Sequence, residues 1–446
     1  MSSLERMLGV LARLQVAQAK ELASELGVSQ PTVSRLIQEA GERVCRMGQT
    51  RATRYARTRS LPRLGTRQPL HRISEAGTIE RFGEVHLLEG GRYWFTPAEG
   101  HSWLHIPKGT GHLFERLPPF INGMSLQGYI GEAFSAQHPE LELPPETRNW
   151  NDDHHLTTLA FHGADCVGNL ILGEESLNQW LTHPLEPIDR GAYPELARRS
   201  DREHRGAFAG GVQPKFLTFS EGRHVLVKFV SGDKDRVARR WRDMLLCESL
   251  TLEVIREAGI EAATARWFDE GGYRFLEVER FDRVGERGRR GVIPLGALDK
   301  KYIGDINSRT TSWTSAASKL HEHGFIQAED ARRMRWLDVF GQLTGNDDRH
   351  FGNLSFLETS EGRLRLSPAY DMLPMWFMPP TSGAFDGPLK PDPPTAQTLD
   401  IWPDAAYHAS LFWTRVIEHK AISKGFRTRA RECRDALEAL RERLPR

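Results

Sequence analysis

Apolar positions in the N-terminal part of the chain recur at helical spacing and then at strand spacing. Gly27 interrupts the helical pattern, and the residues after it have the features of a new helix start. Ser29 can cap that helix, and Pro31 then stands in the first turn, where a missing N–H costs nothing. A strand-like run around Gly48 follows. The pattern predicts helices over residues 4–14, 19–26 and 32–40 and a β-hairpin over 44–55.

The rest of the chain alternates between strand-like and helical patterns. Residues 59–72 are basic and irregular, which indicates a linker, and residues 73–200 mix short strand signals with Pro- and Gly-rich turns. Two apolar runs flank a turn at 220–223 and predict a hairpin. Helical patterns dominate beyond residue 299. The chain is therefore expected to be an α+β protein.

The charge is unevenly distributed along the chain. The whole protein carries a formal charge of +1, but residues 1–72 hold 13 Lys/Arg and 5 Asp/Glu, a net of +8. A basic N-terminal part on an otherwise acidic chain indicates a local polyanionic partner, although a solvated charged face would look similar.

The cysteines and the apolar runs limit the compartment. The four cysteines lie far apart, which argues against a zinc site and a disulfide framework. No run approaches the ~18 apolar residues of a membrane span, and no secretory signal is visible. We therefore expect a cytoplasmic protein.

The N-terminal helices have the arrangement of a DNA-binding unit. Residues 22–36 resemble a winged helix-turn-helix, in which Gly27 takes the positive-φ turn while Val28, Val33 and either Leu36 or Ile37 are buried. Arginines on the hairpin suit phosphate contacts. A small helical packing domain is the alternative. The predicted DNA contacts are Gln30, Thr32, Ser34, Arg35, Arg51 and Arg54.

A second motif carries the residues of phosphoryl transfer. Residues 345–356 contain D-x-H-x-x-N, with Asp348, His350 and Asn353, and Asp371 follows across a predicted hairpin. A protein kinase needs an acid that accepts the substrate hydroxyl proton, and an Asn and a second Asp that hold magnesium. The Asp348–Asn353 spacing of five positions matches that of kinase catalytic loops.

Upstream residues complete this set. Lys228 ends a Val-Leu-Val-Lys strand, and Glu248 lies on the following predicted helix, where it can pair with the lysine. A glycine-rich stretch over 206–215 is a candidate phosphate loop, and residues 277–281 are a candidate hinge whose backbone would face adenine. The nucleotide-binding candidates are Lys228, Gly210, Gly211, Val212, Gln213, Lys215, Glu248, Glu277, Glu279 and Phe281.

These motifs resemble those of the HipA family of toxin kinases over roughly residues 80–440. The matching parts are G-x-Q-x-K ending at Lys215, E-R-F-D-R over 279–283, D-x-H-x-x-N, and Tyr-Asp-x-Leu around Asp371. The resemblance implies a two-lobed kinase fold, ATP and Mg²⁺, and a protein substrate such as an aminoacyl-tRNA synthetase. It also implies that Asp348 is the catalytic base, that Asn353 and Asp371 bind the metal, and that Lys228 binds phosphate.

The chain departs from the usual family pattern in two respects. Its DNA-binding unit is fused to the kinase, which resembles the YjjJ-like branch and implies that no separate antitoxin is needed. The family loop often carries a serine seven residues before its lysine, where self-phosphorylation inactivates the enzyme, and this chain has Phe208 there. The expected domains are a winged helix-turn-helix with linker (1–72), a HipA-like N-terminal subdomain (73–200), a kinase N-lobe (201–298) and a helical C-lobe (299–446).

Two other functions fit parts of the pattern. The protein could be a DNA-binding transcriptional regulator with a degenerate kinase body, or a metal-dependent nucleic-acid hydrolase toxin. The complete set of Lys228, Asp348, Asn353 and Asp371 argues against decay, and the candidate loop and hinge argue against a hydrolase.

Overall fold

The computed structural model describes residues 2–48, 52–99, 111–126, 128–203, 213–232, 235–298, 312–359, 363–379 and 388–444. The chain forms two compact units. The first comprises Met1–Leu126 and Asn149–His183, and the second comprises Gln127–Arg148 and Pro184–Arg446.

The described helices and strands are numbered in chain order. The helices are α1 (Ser3–Leu14), α2 (Ala19–Leu26), α3 (Gln30–Ala40), α4 (Pro119–Asn122), α5 (Gly128–Gln137), α6 (Asp152–His162), α7 (Glu174–Thr182), α8 (Tyr193–Glu203), α9 (Arg236–Glu257), α10 (Trp313–Glu322), α11 (Ala328–Leu343), α12 (Trp402–Glu418) and α13 (Lys424–Arg443). The strands are β1 (Ala17–Gln18), β2 (Val44–Met47), β3 (Arg54–Arg57), β4 (Arg67–Ile73), β5 (Ile79–Leu88), β6 (Arg92–Pro97), β7 (His112–Phe114), β8 (Leu170–Leu172), β9 (Lys215–Ser220), β10 (Arg223–Ser231), β11 (Ala265–Glu270), β12 (Tyr273–Glu279), β13 (Arg283–Val284), β14 (Gly288–Arg289), β15 (Val292–Pro294), β16 (Ser355–Glu358) and β17 (Leu364–Leu366).

Helices α1–α3 and the sheet β1-β3-β2 form the N-terminal part of the first unit. The break between α2 and α3 is as predicted: Gly27 adopts φ +67°, and Ser29 Oγ accepts from Thr32 N at 3.4 Å. Val33 and Leu36 are buried between the helices. The expectation that Val28 is also buried is wrong, because Val28 lies in the turn itself and is 37% exposed.

The sheet β7-β6-β5-β4-β8 forms the rest of the first unit, together with α4, α6 and α7. Strand β4 occupies half of the segment that was expected to be an irregular linker. It pairs with both β5 and β8, and it buries Leu70 and Ile73. The charged residues and the proline of this strand conceal its alternation in the sequence.

The hairpin β2–β3 packs directly on this second sheet. Cys45, Met47 and Ala56 form one buried cluster with Leu88 of β5 and Trp94 of β6. Backbone hydrogen bonds continue across the junction: the amide of residue 59 donates to the carbonyl of residue 87 at 3.0 Å, and that of residue 89 to residue 57 at 2.9 Å. Two of the buried residues that pack against the hairpin, Leu88 and Trp94, therefore lie beyond residue 72.

The β-rich part of the second unit is the sheet β11-β12-β10-β9. The predicted hairpin β9–β10 is confirmed, and its turn residues Glu221 and Gly222 both have positive φ, which matches the right-handed twist of the strands. One face of the sheet packs against α9 through Leu245, Leu276 and Val278. The other face buries aromatic and β-branched residues against Tyr193 of α8.

The helical part of the second unit comprises α10–α13 and the sheet β15-β16-β17. The predicted hairpin after the D-x-H-x-x-N motif is confirmed as β16–β17, and the helical pattern expected beyond residue 299 is confirmed by α10–α13. Trp413 of α12 is fully buried and donates to the Leu343 carbonyl at 3.1 Å. In the part of the chain that the structure describes, no helix has the length and hydropathy that crossing a bilayer requires. The four cysteines are buried free thiols.

Candidate active site

Lys228 and Glu248 form a buried ion pair between β10 and α9. Lys228 lies near the middle of β10 and is 5% exposed, while Glu248 lies on α9 and is 1% exposed. Lys228 Nζ donates to both carboxylate oxygens of Glu248, at 2.8 and 2.7 Å. The helix crosses the sheet face on which Lys228 projects, so the pairing predicted from sequence is present in the structure.

Asp371 is the third member of this group. Lys228 Nζ donates to Asp371 Oδ1 at 2.5 Å, although the two residues are 143 positions apart. Asp371 has φ +55°, a left-handed conformation that is costly for a residue with a side chain and that concentrates at functional sites. Lys215 of β9 stands opposite Lys228 in the strand register, so both ammonium groups lie on the same sheet face.

The pKa values of these residues reflect one charge network. Burial would lower the pKa of Lys228, but Asp371 and Glu248 outweigh it and raise that pKa. Burial raises the pKa of Glu248, with Lys228 opposing the shift. Burial would also raise the pKa of Asp371, yet the charges of Lys228 and Lys215 lower it to about 2. Asp371 is therefore ionised at neutral pH.

The loop between α11 and β16 carries Asp348, His350 and Asn353. Asp348 N donates to Asn346 Oδ1 at 3.1 Å, and Asn353 Nδ2 donates to the Asp348 carbonyl at 2.9 Å. His350 Nδ1 accepts from Gly352 N at 2.9 Å, so this histidine holds the loop together. The Asp348 side chain is 47% exposed and can therefore reach a substrate. Burial raises the pKa of Asp348. The charges of Asp371 and Asp347 also raise it, and His350 lowers it.

Tyr370 links this loop to the segment that carries Asp371. Its hydroxyl donates to the Gly352 carbonyl at 2.8 Å and lies 2.6 Å from Ser355 Oγ. Its ring centroid is 5.7 Å from that of Phe281. Tyr370 belongs to the Tyr-Asp-x-Leu motif, for which no role of the tyrosine was predicted. Its position one residue before Asp371 was the available signal.

The candidate phosphate loop is described only in part. Gly210, Gly211 and Val212 lie outside the described residues. Gln213 Nε2 donates to the Phe229 carbonyl at 2.6 Å, which joins the end of the loop to β10. Burial and the nearby Lys228 lower the pKa of Lys215, although Asp371 opposes them.

The structure does not bring Glu277 to Lys228. Glu277 pairs with Val227 in the sheet, so its side chain lies on the opposite face, where Arg190 donates to both carboxylate oxygens at 3.0 and 2.6 Å. Tyr193 donates to the same carboxylate at 2.9 Å. Strand β12 continues to Glu279, so a hinge can begin only after that residue. That residues near Phe281 face adenine remains a prediction.

The predicted DNA contacts share one part of the first unit. Gln30, Ser34 and Arg35 are exposed on α3, Thr32 is half-buried, and Arg54 is exposed on β3. Arg51 lies outside the described residues. Neighbouring arginines are neutralised, as in the pairs Arg13–Glu25, Arg43–Glu5 and Arg57–Glu89. Within the described residues, Arg35, Arg46 and Arg54 form no ion pair, and their charge therefore faces solvent.

Comparison with known proteins identifies the class. Residues 64–181 match the family described as YjjJ-like toxin, middle domain, and residues 207–445 match the family described as HipA-like C-terminal domain. The chain belongs to the HipA-like toxins. It is similar over nearly its whole length to Toxin YjjJ of Escherichia coli (strain K12), with 32% identity over 444 residues that cover 96% of each protein. The chain is therefore a YjjJ-like member of the HipA family.

Two further comparisons involve HipA of Shewanella oneidensis. The protein described as serine/threonine-protein kinase toxin HipA is 25% identical over 183 residues, which are 36% of this chain and 42% of that protein. A solved structure of S. oneidensis HipA with HipB and its operator DNA has a TM-score of 0.56 at 16% identity. It covers 84% of this chain and 97% of that chain, and it shows a shared mixed helix-and-sheet fold.

Proposed function

We propose that this protein is an ATP-dependent kinase that phosphorylates serine or threonine in a protein substrate. The observation that carries the proposal is the ion group in which Lys228 holds Glu248 and Asp371 together. A kinase requires such a lysine–glutamate pair beside a metal-binding aspartate. Family resemblance supports an aminoacyl-tRNA synthetase or another translation protein as the substrate.

In the proposed reaction, the Asp348 carboxylate accepts the proton of the substrate hydroxyl. The hydroxyl oxygen attacks the γ-phosphorus of ATP, the bond to the β–γ bridging oxygen breaks, and ADP leaves with the electron pair. Lys228 would bind the phosphates and orient them toward Asp348. The raised pKa of Asp348 makes its carboxylate a better proton acceptor than an ordinary aspartate.

Asn353 and Asp371 would hold Mg²⁺. Amide and carboxylate oxygens are the ligands that this hard cation prefers. The Asn353 amide nitrogen is engaged within the loop, so the amide oxygen would face the cation. When bound, the metal would neutralise charge on the transferred phosphoryl group.

The same contacts argue against the two alternatives. A decayed kinase body would have no need to keep a lysine and a glutamate buried together, because an unneeded buried pair is readily replaced by apolar residues. A two-metal hydrolase needs metal-binding groups close together. In this structure Asp371 instead contacts a lysine.

DNA binding is a second proposed function, carried by helix α3 and the hairpin β2–β3. The arrangement fits a winged helix-turn-helix, with α3 entering a major groove and the unpaired arginines contacting DNA. In the S. oneidensis complex, HipA is accompanied by HipB and operator DNA. Because this chain carries its own candidate DNA-binding unit, we propose that it binds double-stranded DNA without a separate antitoxin.

The kinase proposal is tested with purified full-length protein, Mg²⁺ and γ-labelled ATP, with a cell extract as the source of acceptor. Transfer to serine or threonine is expected, and Asp348→Asn or Asp371→Asn should abolish it, because they remove the base and a metal ligand. Asp435→Asn is a matched control that should keep wild-type transfer, because Asp435 is exposed and pairs with Arg434 on the surface. If the Asp348 and Asp371 variants transfer phosphate at the wild-type rate, the site assignment is wrong.

DNA binding is tested with the full chain on random and selected duplexes at several salt concentrations. Affinity should fall steeply with salt because phosphate contacts release counterions. Arg35→Ala should reduce sequence preference, and Arg54→Ala should weaken all duplexes alike. Arg13→Ala is the control, since Arg13 pairs with Glu25. No affinity at low salt would contradict the proposal.

A further inference from the structure

Arg349 stands between Asp348 and His350, but its side chain turns into the protein. Its guanidinium Nε donates to Asp338 Oδ1 of α11 at 3.0 Å, and its Nη1 donates to the Asn346 carbonyl. Only 20% of the Arg349 side chain is exposed. One arginine therefore connects the loop that carries Asp348 to the interior of the preceding helix.

Asp338 is held rigidly at the other end of this contact. It is 2% exposed, and its Oδ2 accepts from Thr314 N at 3.0 Å and from Thr314 Oγ1 at 2.8 Å. These donors belong to the first turn of α10, where a negative charge is favoured. Because one carboxylate receives bonds from α10 and from Arg349, it fixes the loop to two helices.

Gly341 makes room for this arginine. A Cβ atom at position 341 would lie 2.6 Å from Arg349 Cδ. Glycine inside a helix is less favourable than alanine, so its place in the last turn of α11 needs a packing reason. The arginine is bonded at its guanidinium end and joined to the loop at its backbone end. It therefore has little freedom to move away from an added methyl group.

We infer that Arg349 is a positioning residue that sets the direction of the Asp348 side chain. Asp338 binds its guanidinium group, and Gly341 leaves space for its side chain. Asn346 completes the arrangement: its carbonyl accepts from Arg349, and its side chain accepts from the Asp348 amide. The Asn346 carbonyl and the Asp348 amide, which both precede the Asp348 side chain in the loop, are thereby fixed. The inference rests on the proposed kinase function, and it assigns to the loop a support that acts on the base rather than on ATP.

The test compares Arg349→Met, Arg349→Lys and Gly341→Ala in the full-length protein. Arg349→Met should lower kcat by roughly 100-fold, because a misplacement of about 1 Å is enough for such a loss. Arg349→Lys keeps the charge but lacks the planar guanidinium group that donates several hydrogen bonds at once. Its kcat should therefore lie between those of Arg349→Met and the wild type. Gly341→Ala raises helix propensity, yet it should also lower kcat. Gly425→Ala, in a helix with open space around the glycine, should leave kcat unchanged.

Two readouts separate positioning from a general loss of structure. The KM for ATP should rise much less than kcat falls, because Lys228 and Asp371 are untouched and only Asn353 of the nucleotide and metal contacts lies in the loosened loop. Hydrogen exchange of the amides over 346–353 should accelerate in Arg349→Met and Gly341→Ala but not in Gly425→Ala. Unchanged kcat in Arg349→Met, or a kcat loss matched by an equal rise in KM, would overturn the inference.

The exchange measurement also separates this inference from the kinase proposal. If the wild-type protein transfers no phosphate, the kinase proposal fails, and exchange alone decides whether Arg349 anchors the loop. Faster exchange in the two variants then supports the anchor, and unchanged exchange refutes it.

Discussion

Replacing Lys228 by methionine tests the ion group at the centre of the site. The substitution keeps the aliphatic stem but leaves Glu248 and Asp371 facing each other without the cation. Removing one partner of a buried ion pair costs about 3–5 kcal/mol of unfolding free energy. The lower end is expected, about 3 kcal/mol, because Asp371 is 30% exposed and Glu248 can take up a proton.

The second variant in this experiment removes the uncompensated charge. In Lys228→Met with Glu248→Gln, the buried glutamate charge is gone, so most of the lost stability should return, to within about 1 kcal/mol of wild type. Urea unfolding followed by circular dichroism at pH 7 measures both differences. Arg365→Met is the control, because Arg365 pairs with Glu261 on the surface at 3.0 Å and such pairs contribute less than about 1 kcal/mol.

The outcome for the single variant decides this argument. A midpoint for Lys228→Met equal to that of Arg365→Met would show that the carboxylates do not depend on the ammonium group. The ion group could then not be the organising feature of the site. A double variant less stable than the single variant would refute the reasoning about uncompensated charge.

Three further predictions follow from other features of the chain. The pKa of Asp371 is lowered from 3.8 to about 2, so its stabilising contribution is present above pH 3.8 and is lost as the pH falls through 2. In acid titrations, Asp371→Asn should therefore lose less stability over that range than the wild type. An equal loss would contradict this. Trp94→Ala should lower the unfolding free energy of the first unit by about 3–5 kcal/mol and weaken DNA binding, because Trp94 packs against the hairpin β2–β3. Calorimetry measures the first effect and a duplex titration the second. Unchanged affinity would mean that the hairpin keeps its position without Trp94. Phe208 lies outside the described residues. Phe208→Ser should create a self-inactivating phosphorylation site, and mass spectrometry after incubation with ATP should find phosphate at position 208 only in the variant. Phosphate on Ser200 or Thr218 of the wild type that accompanies loss of activity would refute the prediction.

Local patterns predicted the parts of the site that depend on neighbours in sequence. The Lys228–Glu248 pair follows from a strand and the next helix, and the loop of Asp348 and Asn353 follows from a fixed spacing. The turn at Gly27 and the cap at Ser29 could likewise be predicted from sequence, because backbone conformation and capping are local effects.

Contacts between distant segments were not readable in the same way. The position of the Arg349 side chain depends on a buried aspartate 11 positions earlier and on a helical glycine, neither of which belongs to a motif. Glu277 was placed at the hinge because it precedes a recognised motif, yet strand alternation turns it to the other face of the sheet, toward Arg190. Strand β4 was missed because charged residues and a proline conceal its period of two.

The expected DNA-binding domain ended at residue 72. The cluster under the hairpin shows why a fragment that ends there is a poor test. Leu88 and Trp94 would be absent from it, and the apolar side of Met47 and Ala56 would face water. The full chain is therefore the right material for measuring DNA binding.

The most direct test of the central claim is a crystal structure of the full-length protein with Mg²⁺ and a non-hydrolysable ATP analogue. We expect the phosphates within hydrogen-bonding distance of Lys228, and the metal bound by Asn353 and Asp371. The γ-phosphate should face Asp348. A nucleotide bound elsewhere, or no nucleotide density at millimolar analogue, would contradict the account.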